Sequence, residues 1–210
     1  MLDLRDGARV SSTTAGFGGA GEISIVAKER ISVSGEFSGI FSQTNAPDAG
    51  NAGALNITTP LLQVDGGVID STTVGDGDAG PVSVHVGKLQ LTGGAQIRSF
   101  SGGFKQTTGA VVAGNGVAGS VSVDATDSVT VSGSGFGRPS GLLAETRGSG
   151  AGGSVSVSAA SLTLSDGATI SSSSLGDGDA GAVTVSDVVD LRLTGGSQIR
   201  SFSGGFNPIT

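Results

Sequence analysis

The sequence predicts an all-β fold, a right-handed parallel β-helix of about seven coils with three short strands in each. Three observations carry that prediction. The chain repeats itself: Gln96-Ile97-Arg98-Ser99-Phe100-Ser101-Gly102-Gly103-Phe104 returns unchanged at Gln198–Phe206, and Gly75-Asp76-Gly77-Asp78-Ala79-Gly80 returns at Gly176–Gly181. Apolar residues alternate with polar ones in short runs rich in Val, Ile, Leu and Thr, the period of a strand with one buried face. The 39 glycines fall between those runs as turn residues, in a chain that is 36% hydrophobic and so unlike a disordered glycine-rich segment.

One unit, 154–181, shows how each element is read. Val155 and Val157 point inward on a first strand, Leu162 and Leu164 on a second, and Ile170 with Ser172 on a third. Ser158–Ser161, Asp166-Gly167 and the glycine-rich run separate them. Stacking such units places like residues one above another about 4.8 Å apart. An antiparallel meander would call for a two-residue turn between every pair of strands, and such turns are missing. Successive units are marked at 2–21, 22–53, 54–80, 81–119, 120–153, 154–181 and 182–210. They alternate among three kinds, so the close copies lie about 100 residues apart. Without a linker or a shift in composition, residues 1–210 read as a single β-helix repeat domain. Leu2 begins and Thr210 ends inside the pattern, which reads as a slice of a longer array. The right hand follows from the rule for parallel crossovers.

Composition narrows the function classes. Cysteine is absent, which excludes a disulfide framework and a Cys-ligated metal. A net charge of −7 argues against nucleic acid. The sequence contains no apolar run of spanning length, and Met1-Leu2-Asp3-Leu4-Arg5-Asp6 does not read as a secretory leader.

The stretch Gly152–Ser174, the run Gly39-Ile40-Phe41-Ser42-Gln43-Thr44 and the turn Gly50-Asn51-Ala52-Gly53 resemble the repeats of filamentous haemagglutinin-like exoproteins of the two-partner secretion family. The resemblance covers essentially the whole chain. It implies a structural or adhesive shaft in a secreted or cell-surface protein, without catalysis. It also implies an outer-membrane two-partner transporter as export partner, an extracellular or outer-surface location, and a cell-surface or glycan receptor. The family's secretion domain with its Asn-Pro-Asn motifs is not matched; Asn207-Pro208 is no substitute. The alternative reading is a carbohydrate-active β-helix, a polysaccharide lyase or hydrolase or a tailspike-like depolymerase.

Candidate chemistry is sparse. The Asp76/Asp78 and Asp177/Asp179 turns invite calcium, but they lie three coils apart, about 14 Å, and read as solvated turns. His85, the single histidine, falls outward between inward Val84 and Val86, without a serine–acid partnership. Glycan cleavage would need a carboxylate pair such as Asp70 with Asp65 or Glu145, but the aromatic platforms are missing, with no Trp or Tyr. No cofactor, metal or catalytic residue is assigned. A flat hydroxyl ladder of the ice-binding kind is spoiled by the mixed outward column Phe41, Asp70, Arg98, Leu143, Ser171 and Arg200. Parity of that third strand instead sets Phe41, Phe100, Leu143 and Phe202 on the outer side. With Arg98 and Arg200 they are the candidate surface contacts, unless the turns carrying Phe104 or Phe206 fold back over the rings. Asp70 and Arg98 are expected as neighbours on adjacent coils, a surface ion pair worth under about 1 kcal/mol.

Overall fold

The computed structural model describes residues 1–46, 48–104, 111–112 and 114–204. Its coils follow the predicted units. The first holds β1 (Leu2–Leu4) and β2 (Arg9–Thr14), and the second β3 (Ile23–Val26), β4 (Arg30–Ser34) and β5 (Gly39–Thr44). The third holds β6 (Leu55–Asp65) and β7 (Val68–Thr73). The fourth holds β8 (Val82–Thr92), β9 (Gln96–Ser101) and the short strands β10 (Gly103–Phe104) and β11 (Val111–Val112). The fifth holds β12 (Val121–Ser132), β13 (Ser134–Gly135), β14 (Arg138–Pro139) and β15 (Gly141–Thr146). The sixth holds β16 (Val155–Ser165) and β17 (Thr169–Ser174), and the seventh β18 (Val183–Ser186), β19 (Asp190–Leu193) and β20 (Gln198–Ser203).

Two parallel sheets run the length of this β-solenoid. One is ordered β1-β4-β6-β8-β12-β16-β18, with β3 and β19 on its ends. The other is β2-β5-β7-β9-β15-β17-β20. The two strands expected at the start of each unit are continuous in coils three to six. β6, β8, β12 and β16 each carry both, and the inward set steps by three residues from Ala159 to Leu162 instead of by two. That step coincides with a register shift between Ala125 and Ser128 in β12, a bulge that turns the sheet through a corner. The core is a stack of like residues: Leu62, Leu89, Val129 and Leu162 are each fully buried and register-paired with their neighbours. Each such side chain is worth roughly 1.5–3 kcal/mol relative to exposure.

Tight turns join the first sheet to the second. At Asp166-Gly167 both residues are left-handed, with φ of 56° and 80°, and the Ala168 amide donates to the Ser165 carbonyl. Gly93-Gly94 and Gly195-Gly196 do the same in coils four and seven, a geometry that favours glycine or aspartate.

The third side of coils one to six is a glycine turn, joined in coils one to five to the next coil through its backbone amides. Ala20, Ala52, Ala79, Ala118 and Gly152 each donate an amide to a carbonyl of the following coil. A Cβ on Gly53, Gly80, Gly119, Gly153 or Gly181 would collide with the carbonyl of the glycine one coil before it, which is why this column is glycine.

A column of inward serines ties the turn to the second sheet. Ser12, Ser42, Ser71, Ser99, Ala144, Ser172 and Ser201 lie in one register. Ser42 accepts from the Gly53 amide at 2.8 Å and donates to the Gly21 carbonyl at 3.2 Å. Ser71 links Gly80 and Gly53, and Ser99 links Gly119 and Gly80, in the same way. These hydroxyls satisfy turn groups that would otherwise be buried unpaired. Alanine stands in the column only at 144.

Candidate functional site

The second sheet has an outer face, and the sequence-predicted contact residues converge there. The register runs Phe41, Asp70, Arg98, Leu143, Ser171, Arg200 in one column and Gln43, Thr72, Phe100, Glu145, Ser173, Phe202 two residues on. The outward parity of the rings is as predicted; their exposure is not uniform. Phe202 is 48% exposed, Phe100 and Leu143 are half-buried, and Arg200 is exposed. Phe41 corrects the expectation: it is buried, although it belongs to the outer face, because the Arg9 guanidinium lies 4.0 Å from its ring centroid. The proposed covering by Phe104 or Phe206 lies outside the described side chains.

Asp70 is the second correction. Its side chain is 1% exposed, against 32% for Arg98, so the pair is not a surface ion pair. Arg98 grips the carboxylate at two points, Nε to Oδ1 at 3.1 Å and Nη2 to Oδ2 at 3.2 Å. Gln43 Nε2 donates to Oδ2 at 3.2 Å and the Thr72 hydroxyl donates to Oδ1. The carboxylate is thus saturated by its own and neighbouring coils. Burial opposes the charge on Arg98. The Asp70 carboxylate and its hydrogen bond outweigh that, with Glu145 assisting, and hold the guanidinium above its ordinary value. Arg98 also donates to Gln96 Oε1 at 3.3 Å and stands 5.8 Å from the Phe100 ring.

Phe100 is shared. Arg147, just past β15, lies 4.8 Å from the same ring centroid and pairs with Glu145 at 3.1 Å. Arg9, Gln43, Asp70, Arg98, Phe100 and Arg147 line a groove of about 510 Å³ running diagonally across coils one to five. Sequence reasoning missed Arg9, Gln43, Thr72 and Arg147. Columns two residues either side of Asp70 and Arg98 would have found Gln43 and Thr72.

A small hairpin, β13–β14, covers the adjoining corner. Arg138 donates from Nε to the Gly94 carbonyl at 2.8 Å and from Nη2 to the Gly66 carbonyl at 2.9 Å. Burial, and next the charge of Arg98, hold Arg138 below its ordinary value.

The remaining candidates are engaged in the scaffold. His85 points outward as predicted, 60% exposed, with Nδ1 3.6 Å from Asp124. Asp76 accepts from the Asn115 amide and side chain, and Asp78 from the Val117 amide, so these carboxylates hold the next coil's turn. Asp65 accepts from the Thr92 hydroxyl at 2.8 Å, and Glu145 is taken by Arg147. Among the described residues no three His, Asp or Glu side chains converge as a metal site, and no helix is long and apolar enough to cross a membrane. Comparison with known proteins gives no matching family model, curated protein or solved structure.

Proposed function

We propose that this solenoid is a non-catalytic shaft segment of a secreted or cell-surface adhesin of the haemagglutinin type, exported through an outer-membrane two-partner transporter. The observation that carries the reading is the axial tie of each coil to the next. Serine hydroxyls, turn amides and two parallel ladders repeat coil after coil, which suits a stiff rod that displays a binding region at a distance. The Asp70–Arg98 and Glu145–Arg147 pairs support it too, since each carboxylate is held by an arginine instead of being poised for acid–base work. The repeat resemblance supplies the export route, the outer-surface location and a cell-surface or glycan receptor.

The test is export and activity together. Expressed behind a two-partner secretion domain with its cognate transporter, the chain reaches the cell surface and becomes protease-accessible; retention with the transporter present removes the reading. Release of reducing or unsaturated ends from a panel of neutral and acidic polysaccharides would replace it with the carbohydrate-active alternative.

A further inference from the structure

Two charged stripes run along the solenoid, and they share one period. On the outer face of the second sheet, Arg98 and Arg200 occupy the same column three coils apart, with Leu143 and Ser171 between them. At the glycine turns, Asp76 and Asp78 flank Gly77, and Asp177 and Asp179 flank Gly178. Gly77, Gly116, Gly150 and Gly178 stack in that order, again three coils. The turns between carry Asn115 with Val117 and Ser149 with Ala151, which are neutral. Both stripes therefore read charged, neutral, neutral, charged, with a spacing of about 14 Å.

Their signs are opposite. The sheet face presents Arg9, Arg98, Arg147 and Arg200 against Asp70 and Glu145, on a chain whose net charge is −7. The turn carboxylates of Asp76, Asp78, Asp177 and Asp179 belong to exposed residues. Phe202, 48% exposed, adds an apolar contact next to Arg200. The turns offer only small residues between their carboxylates, so another chain's sheet face can approach them closely.

We propose that the arginine-lined face of one copy docks on the aspartate turns of a second copy lying parallel beside it. Because both stripes have the same axial period, a shift of one coil brings Arg98 opposite Asp76/Asp78 and Arg200 opposite Asp177/Asp179 together. The period fixes register, and the opposite signs select the partner. Sheet face and turn corner are different surfaces of one coil. The contact is therefore heterologous, leaves a free face on each outer copy, and extends into a side-by-side array. This goes beyond the shaft reading and does not require it.

Sedimentation velocity of the whole chain over a concentration series tests the proposal. Association is expected at about 50 mM salt and is lost at about 500 mM, where screening shortens from about 14 Å to about 4 Å. Two variants, each checked for its strand circular dichroism, separate the surfaces: Arg200→Glu, and Asp177→Lys with Asp179→Lys. Each alone weakens association by at least about tenfold, and mixing the two restores it, since each then offers the other a complementary surface. Concentration-independent monomers at low salt overturn the proposal. So does association that survives in both variants, which is pairing through the open end coils. Capture of an acidic polysaccharide by the arginine face without self-association overturns it in favour of a glycan ligand.

Discussion

Coils four and seven contain the same six residues, Gln-Ile-Arg-Ser-Phe-Ser, at 96–101 and 198–203, and do different things with them. In coil four, Ile97 and Ser99 are fully buried and Arg98 is locked on a carboxylate. In coil seven, Ile199 is half-buried and Arg200, Ser201 and Phe202 are exposed. The difference is made by neighbours: coil four lies between coils three and five, while among the described residues β20 pairs with β17 alone. The difference in partner is also specific, for Arg98 faces Asp70 and Arg200 faces Ser171. In a solenoid a residue's environment is written one coil away, a separation that runs from Asp70 to Arg98 on one side of this arginine and from Arg98 to Leu143 on the other, and not in its own segment.

The comparison breaks most sharply in the core. Leu91→Ala removes a fully buried side chain and costs about 2–5 kcal/mol, whereas Leu193→Ala, at a position already 41% exposed, costs about 1 kcal/mol or less. Denaturant unfolding of the two variants measures this, and equal losses would mean that coil seven is as well covered as coil four.

Next comes the buried carboxylate. Asp70→Ala leaves Arg98 without its partner and costs about 2–3 kcal/mol, below the full value for a buried pair because the guanidinium reaches solvent. Placing a carboxylate opposite the other arginine, by Ser171→Asp, couples to Arg200 by less than about 1 kcal/mol, since Arg200 is exposed. Double-mutant cycles with Arg98→Ala and Arg200→Ala read both couplings, and equal values would dissolve the distinction drawn between the two coils.

The smallest effect is a gain. Ala144→Ser returns a hydroxyl to the inward column, within reach of the Gly119 carbonyl and the Gly153 amide by the pattern of its neighbours. It raises stability by about 0.5–1 kcal/mol. A loss on thermal melting would show that the site is packed for a methyl group.

The coil count, the strand parity and the core were legible because period-two alternation and a long repeat need no knowledge of packing. Alternation sets Val155, Val157, Leu162, Leu164 and Ile170 inward, and all are buried. The outer face was legible in direction but not in burial. Outward parity implied exposure for Phe41 and Asp70, yet long side chains on the same face, Arg9 over Phe41 and Arg98 with Gln43 over Asp70, cover them. Such cover depends on which residues two coils bring together, and segment-by-segment reading does not see it. The serine column was half legible. Alternation sets Ser172 inward with Ile170, but its bond to the Gly153 carbonyl appears only when the turn is folded against the sheet.

The gap at Ala144 has a mechanical side. A rod loaded along its axis parts at its weakest coil-to-coil step, and the step from coil four to coil five lacks the hydroxyl link that the serine column supplies elsewhere, while Ser172 still ties coil six to the Gly153 carbonyl of coil five. The β13–β14 hairpin rises from that same coil and reaches back with Arg138 to Gly94 in coil four and Gly66 in coil three. It acts as a splint across an open seam. Under tension the hairpin is the element whose removal would let the rod snap there first.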